Sequence, residues 1–170
     1  EPNDGEYKLM GLAPFGEPIY ERTLREHVVH VHEDGSIRLD QRWFDFRRGV
    51  RMTHPRLGDL LDGPPRERGE ALTQREADIA RSVQVIVEDV VVRAGRHAYE
   101  LTGERHACLA GGVALNCVAN ERLLEDGPFD ELWIQPAAGD SGGAIGAALW
   151  AWHQLWDNPR RIVDGRDGMR

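Results

Sequence analysis

Apolar residues recur at helical spacing through the middle of the chain, at Ala77, Ala80, Val83, Val87, Val90, Val91, Ala94, Ala98 and Leu101. Thr73-Gln-Arg-Glu76 forms a capping box in front of them and Gly103 stands behind, so the pattern predicts one long amphipathic helix. Upstream, EHVVHVHEDGSIRLD gives two short alternating runs about Asp34-Gly35, which predicts a β-hairpin. Downstream, ACLA predicts a short buried strand ending in Gly111-Gly112, and VALNCVANERLLEDG a helix closed by Gly127 and Pro128. ELWIQ predicts a second strand, after which GDSGG opens a third helix, AIGAALWAWHQLW. The order helix, strand, helix, strand, helix predicts parallel strands joined by helical crossovers.

The rest of the chain is less regular. Residues 1–26 mix Gly, Pro and acids around KLMGLAPFG and suggest no element. Gln41 to Glu70 reads as a long excursion covering the sheet, anchored by Trp43, Phe44 and Phe46 and broken by GPPRERG. The tail NPRRIVDGRDGMR has no pattern and reads as a frayed linker.

A chain of 170 residues can bury one real core, as one compact unit or a piece of a larger one. A net charge of -8 leaves no basic surplus to displace counterions, which argues against non-specific nucleic-acid binding and points to small molecules or proteins as partners. Arginine has almost wholly displaced lysine; Lys8 is the one exception, a site wanting a compact ammonium or a chance survivor. Cys108 and Cys117 lack further metal-type ligands and read as buried thiols in a reducing cytosol. No apolar run reaches the roughly 18 residues of a membrane span, and EPNDGEYK lacks the basic and apolar parts of a signal peptide. The expectation is a soluble, cytoplasmic chain without membrane contact.

Candidate chemistry gathers at the two glycine turns. In parallel α/β sheets ligands lie beyond the carboxyl ends of strands, where helix N-termini present N–H groups. Gly111 and Gly112 would let backbone approach a flat or anionic ligand, with Asn116 one turn into the helix available to its polar edge; alternatively the glycines permit tight strand–helix packing. Asp140, within GDSGG, is suited to capping the next helix or to reaching a cation. His27, His30 and His32 raise a metal reading, but period-2 alternation puts His30 and His32 on one face and His27 on the other, which favours a solvated hairpin. No nucleophile elbow, zinc signature or Walker-type loop occurs.

Four ordered blocks, GEYKLMGLAPFG, TQREADIARSVQ, LAGGVALNCVAN and AAGDSGGAIGAA, closely resemble the carbamoyltransferase family of nodulation and antibiotic-tailoring enzymes. The resemblance implies an α/β fold, one lobe of an actin-like ATPase (ribonuclease H-like) domain akin to the tRNA threonylcarbamoyl transferases: a mixed sheet with an N-terminal hairpin and flanking helices. Residues 1–157 would be the second lobe, and 158–170 a linker toward a YrdC-like domain. Family members make carbamoyladenylate from carbamoyl phosphate and ATP and pass the carbamoyl group to a hydroxyl of a small molecule such as an antibiotic or oligosaccharide. By resemblance Gly111, Gly112 and Asn116 hold the adenylate, Lys8 and Gly16 border the nucleotide, and Asp140 is a ligand of an iron-type divalent metal. The family's other metal ligands form an HxxxH pattern that is absent here, so the chain by itself would carry half a site and be inactive. Two other readings stay open: sugar-kinase-like phosphoryl transfer, and a non-catalytic nucleotide-binding or dimerisation lobe. Trp150, Trp152 and Trp156 crowd the last helix on more than one face, which suggests a homodimer unless the excursion folds over them.

Overall fold

The computed structural model describes residues 5–47, 49, 51–67, 69–160, 162–163 and 166–167. It comprises two compact units, Glu1–Ala107 with Asn116–Trp133, and Cys108–Leu115 with Ile134–Arg170.

The first unit is organised by the long helix the periodicity predicts. Successive elements are α1 (Glu6–Leu12), α2 (Glu21–His27), β1 (Val29–Val31), β2 (Ile37–Leu39), α3 (Leu57–Leu60) and α4 (Gln74–Thr102). The Glu76 carboxylate accepts from the Thr73 N–H at 3.0 Å and from its hydroxyl at 2.6 Å, while Gly103 closes the helix at φ 72°. These bonds favour the carboxylate and hold the Glu76 pKa below its ordinary 4.5. A lowered folded-state pKa means stability fully present above about 4.5 and lost as pH falls through the lowered value. Thr73→Ala should cost about 1 kcal/mol at neutral pH and reduce this acid limb in urea titrations, with a smaller loss where Glu76 is already protonated, because the Thr73 side chain also caps the backbone N–H of Glu76.

Along α4, Ala77, Ala80, Ile86 and Val92 are buried together with the polar residues Asp78, Ser82 and Gln84. Asp78 and Ser82 bind the N-terminal segment. Asp78 Oδ1 accepts from the Glu17 N–H at 2.8 Å, and the Ser82 hydroxyl accepts from the Tyr20 N–H at 3.0 Å while donating to the Asp78 carbonyl. Gly16 lies so close to α4 that a Cβ there would stand 2.0 Å from the Ala77 carbonyl oxygen. The stretch up to residue 26, which suggested no element, therefore holds α1 and nearly all of α2. Its Gly and Pro punctuation conceals a segment whose order comes from long-range bonds to α4.

β1 and β2 pair antiparallel with His30 opposite Arg38, as the alternating runs predict. Gly35 at the turn has φ +79°, and a Cβ there would come within 2.4 Å of the Ala94 nitrogen, so the position needs glycine twice over. The core joins Tyr20, Leu24 and Val28 to Leu61 and Ile86, with Val29, Val31, Trp43, Phe44, Leu57 and Leu60 around them. The excursion thus covers the hairpin and helices through Trp43 and Phe44; Phe46, the third expected anchor, is exposed. His27 belongs to α2 rather than to a strand.

After α4 come β3 (His106–Leu109), α5 (Cys117–Asp126), β4 (Glu131–Ile134) and α6 (Gly142–Trp150). β3 and β4 are neighbours. The Asp130 N–H donates to the Arg105 carbonyl and the Gln135 N–H to the Leu109 carbonyl, so both strands advance in one direction and the parallel crossover expectation holds. Leu123 of α5 is fully buried in the first unit, close to Gly95.

In the second unit α6 continues as a π-helix over Ala151–Leu155. β5 (Ile162–Val163) and β6 (Arg166–Asp167) form a two-residue antiparallel ladder in what the sequence presents as a patternless linker. Residues 161, 164, 165 and 168–170 of that segment lie outside the described residues.

Two further expectations are corrected. The described strands form three separate two-stranded sheets rather than one mixed sheet, because the hairpin turns its valines onto the α2–α4 core instead of pairing with β3 or β4. Cys108 and Cys117 are exposed, not buried: β3 alternates outward at Cys108, and Cys117 is the first residue of α5, a turn ahead of its buried positions Ala119, Asn120 and Leu123. No described helix is long and apolar enough to cross a membrane.

Candidate functional site

The two glycine turns both belong to the second unit and are tied to each other. The Gly111 N–H donates to the Ala138 carbonyl at 2.7 Å, which sets the turn after β3 against the segment that leads into Asp140. Gly111 has φ +103°, a conformation that favours glycine. A Cβ at Gly111 or at Gly112 would meet no protein atom within 4 Å. Among the described residues neither glycine admits a packing partner, which argues against the strand–helix packing explanation of the pair. Gly112 opens a 3-10 turn over Gly112–Leu115, and its N–H has no hydrogen-bond partner among the described residues. The result is an unpaired backbone donor beside open space, the combination that suits an oxyanion.

The second turn differs. Asp140 does not end a strand: β4 stops at Ile134, and residues 136–141 form a turn before α6. Gly142, Gly143 and Ala144 donate their N–H groups to the carbonyls of Gly139, Asp140 and Ser141, so the start of this helix is closed by its own turn bonds. Gly142 itself is required for packing, since a Cβ would lie 2.3 Å from the Ala137 carbonyl oxygen. Ser141 occupies the N-cap position without a side-chain cap bond, and Asp140 is exposed with its carboxylate in no hydrogen bond or ion pair among the described residues. Asp140 is not a helix cap. Its carboxylate is available to a cation.

Gln135, just past β4, was not singled out from the sequence. Its side-chain Oε1 is buried without a hydrogen-bond partner, and its Nε2 lies 3.7 Å from where a Gly142 Cβ would be. The signal was its position at the carboxyl end of the second parallel strand.

Asn116, Lys8 and Gly16 lie in the first unit. Asn116 is the N-cap of α5 rather than a residue one turn inside it, and its Oδ1 accepts from the Ala119 N–H at 3.1 Å. It also pairs reciprocally with buried Gln84: Gln84 Nε2 donates to Oδ1 at 3.1 Å and Asn116 Nδ2 donates to Gln84 Oε1 at 2.9 Å. This leaves one Nδ2 hydrogen for any further partner. Lys8 is exposed on α1 with its ammonium 5.4 Å from the Tyr7 ring centroid. Gly16 owes its glycine to the close approach to α4.

A nucleotide phosphate fits Gly111-Gly112 by the open space and the Gly112 donor. A divalent metal finds a single donor in Asp140, because the described residues contain no group of three or more His, Cys, Asp or Glu able to hold an ion. His27, His30 and His32 are exposed and make no such group. The 170-residue chain is therefore expected to hold neither iron nor manganese tightly after desalting, by elemental analysis; a stoichiometric metal would contradict this donor count.

Comparison with known proteins agrees with the sequence blocks. The chain matches the family described as carbamoyltransferase N-terminus over residues 1–149. It is 53% identical over 94% of its length to a Synechocystis sp. protein called "Uncharacterized protein sll1178", of which it covers 26%. It is 37% identical over 92% of its length to nodulation protein NolNO of Sinorhizobium fredii, covering 21% of that protein, and 38% identical over 88% to nodulation protein NolO of Bradyrhizobium diazoefficiens, covering 25%. The chain spans about a quarter of the length of these relatives. With the match running through α1, α4 and both glycine turns, this chain belongs to the carbamoyltransferase family, to the part described as its N-terminus.

Proposed function

We propose that the chain works as part of an O-carbamoyltransferase that transfers a carbamoyl group from carbamoyladenylate, made from carbamoyl phosphate and ATP, to a hydroxyl of a small molecule such as an antibiotic or oligosaccharide. In this reading it is one actin-like lobe of a longer cytoplasmic enzyme. The observation that carries the proposal is the bond from Gly111 to Ala138, which keeps an unpaired N–H over open space and an unpaired carboxylate on two turns of one unit.

In the transfer, the acceptor oxygen attacks the carbamoyl carbon, the bond to the adenylate phosphate breaks, the hydroxyl proton leaves to solvent or a base, and AMP departs. The Gly112 N–H donates to a phosphate oxygen of the adenylate, and the missing side chains at 111 and 112 let the phosphate approach the backbone. Asp140 would supply one carboxylate oxygen to a divalent metal whose other ligands lie outside the described residues. A bound divalent metal would polarise the carbamoyl carbonyl. Gln135, with its orphaned amide oxygen, is suited to donate or accept at the same end of the strands. The test is to supply a family-length protein containing this chain with labelled carbamoyl phosphate, ATP and a polyhydroxyl acceptor. A carbamate ester formed with matching AMP supports the reading; ADP with a phosphorylated acceptor would support a kinase instead.

We also propose that the 170-residue chain self-associates. Trp150, Trp152 and Trp156 are 61%, 50% and 64% exposed, and Trp152 and Trp156 stack edge to face at 6.3 Å. No residue of α6 is buried although the helix is apolar on all sides, a state that normally calls for a covering surface. Light scattering should give a mass above 19.1 kDa at high micromolar concentration; a mass that stays at the monomer value rules association out.

A further inference from the structure

A groove beside the hairpin plays no part in the proposed transfer. It has a volume of about 1140 Å³ and runs along α2, β1, β2 and the residues that follow, all in the first unit. Its acidic residues are already neutralised. Glu26 pairs with Arg22 at 2.7 Å, and Asp40 pairs with Arg42, whose guanidinium holds the Asp40 pKa down at about 2. Arg25 is likewise committed, to Glu21 and Asp89.

What remains in the groove is positive or donating. Arg38 and Arg47 form no ion pair among the described residues, though Arg38 acts on the Asp40 carboxylate through space, and His27, His30 and His32 add imidazoles, with His30 directly across the hairpin from Arg38 and its ring 4.8 Å from that of His32. Two guanidiniums outside any ion pair among the described residues, with adjacent imidazoles, are unusual in a chain of net charge -8, because such groups ordinarily recruit the abundant carboxylates. A guanidinium fork offers paired donors to a phosphate or carboxylate, and an imidazole adds a further N–H. The groove is not purely polar. Phe46 and Ile37 line it and are 44% and 52% exposed, giving an apolar surface next to the cations.

We infer that this groove binds a phosphate- or carboxylate-bearing small molecule whose body presents an apolar face, with Arg38 and Arg47 taking the oxyanion and Phe46 the body. The histidines that suggested a metal act here as hydrogen-bond donors. The inference does not depend on the glycine turns, so either site can fail without the other.

The experiment follows the histidine ring resonances of the 170-residue chain during titration with phenyl phosphate, inorganic phosphate, benzoate and benzyl alcohol, at constant ionic strength set with chloride. Phenyl phosphate should give saturable shifts of the hairpin histidines. Inorganic phosphate should bind more weakly, and benzyl alcohol should leave the resonances unmoved; benzoate shows whether a carboxylate substitutes for phosphate. Arg38→Ala and Arg47→Ala should each weaken phenyl phosphate about tenfold or more. Phe46→Ala should weaken phenyl phosphate several-fold with inorganic phosphate unchanged, which separates recognition of the body from recognition of the anion. All three side chains are exposed, so unchanged far-UV spectra are expected. Linear, non-saturating shifts, or variants that bind like the parent, would overturn the inference.

Discussion

Replacing Asp140 with Asn in a family-length protein containing this chain is expected to lower carbamoyl transfer by about 100-fold or more, with no measurable loss of stability. The two halves of that expectation have separate grounds. Asp140 is exposed, caps nothing and pairs with nothing among the described residues, so its removal should change unfolding by less than about 0.5 kcal/mol. An exposed aspartate in a glycine turn, with no structural task among the described residues, is suited to a ligand's role, and an amide is a poor substitute for a carboxylate on a divalent cation. Ser141→Ala is the internal control: Ser141 holds the N-cap position without a side-chain bond, so losing its hydroxyl should alter neither activity nor stability. If Asp140→Asn keeps full activity, the metal-ligand role is wrong. If it unfolds the protein, the carboxylate has a structural partner outside this chain.

Asn116→Ala should destabilise the first unit by about 2–4 kcal/mol. The lost cap of α5 accounts for about 1 kcal/mol. The remainder comes from Gln84, which is 1% exposed and would be left with both ends of its amide unpaired in the core. A double-mutant cycle with Gln84→Ala, read by urea unfolding, should show a coupling of about 1–3 kcal/mol, since each residue is the other's partner. Additive effects would contradict the reciprocal pair. The resemblance places Asn116 on the adenylate, and only one Nδ2 hydrogen is left for that task, so loss of nucleotide affinity in this variant has to be separated from loss of fold.

How much of this was legible in the sequence depended on whether the signal was local. α4 was fully written in its periodicity, its Thr73–Glu76 box and Gly103. The hairpin was written in its alternation and in Asp34-Gly35, and the β3–α5–β4–α6 order followed from short apolar runs separated by glycine turns. α1 and α2 were not legible, because their order depends on Asp78 and Ser82, some sixty residues away, accepting backbone N–H groups of Glu17 and Tyr20. The exposure of Cys108 was hidden for a similar reason: an apolar run such as ACLA suggests burial on both faces, while the strand half-buries only alternate residues.

At the candidate site, residue types were legible and their employment was not. Gly16 and Gly112 read alike, yet one is pressed onto α4 and the other faces open space. Asp140 reads as either cap or ligand, and Asn116 as a ligand residue one turn inside the helix. Asn116 proves to be the cap, and Asp140 has no such bond. Gln135 was invisible because an orphaned amide oxygen exists only once the strand end and the following turn have come together.

The most direct measurement is a crystal structure of a family-length protein containing this chain, with a non-hydrolysable ATP analogue and manganese, using anomalous scattering to place the metal. The account predicts phosphate oxygens within hydrogen-bond distance of the Gly112 N–H and a manganese peak on the Asp140 carboxylate. A nucleotide bound elsewhere, with Gly112 covered by protein and Asp140 in an ion pair, would contradict it.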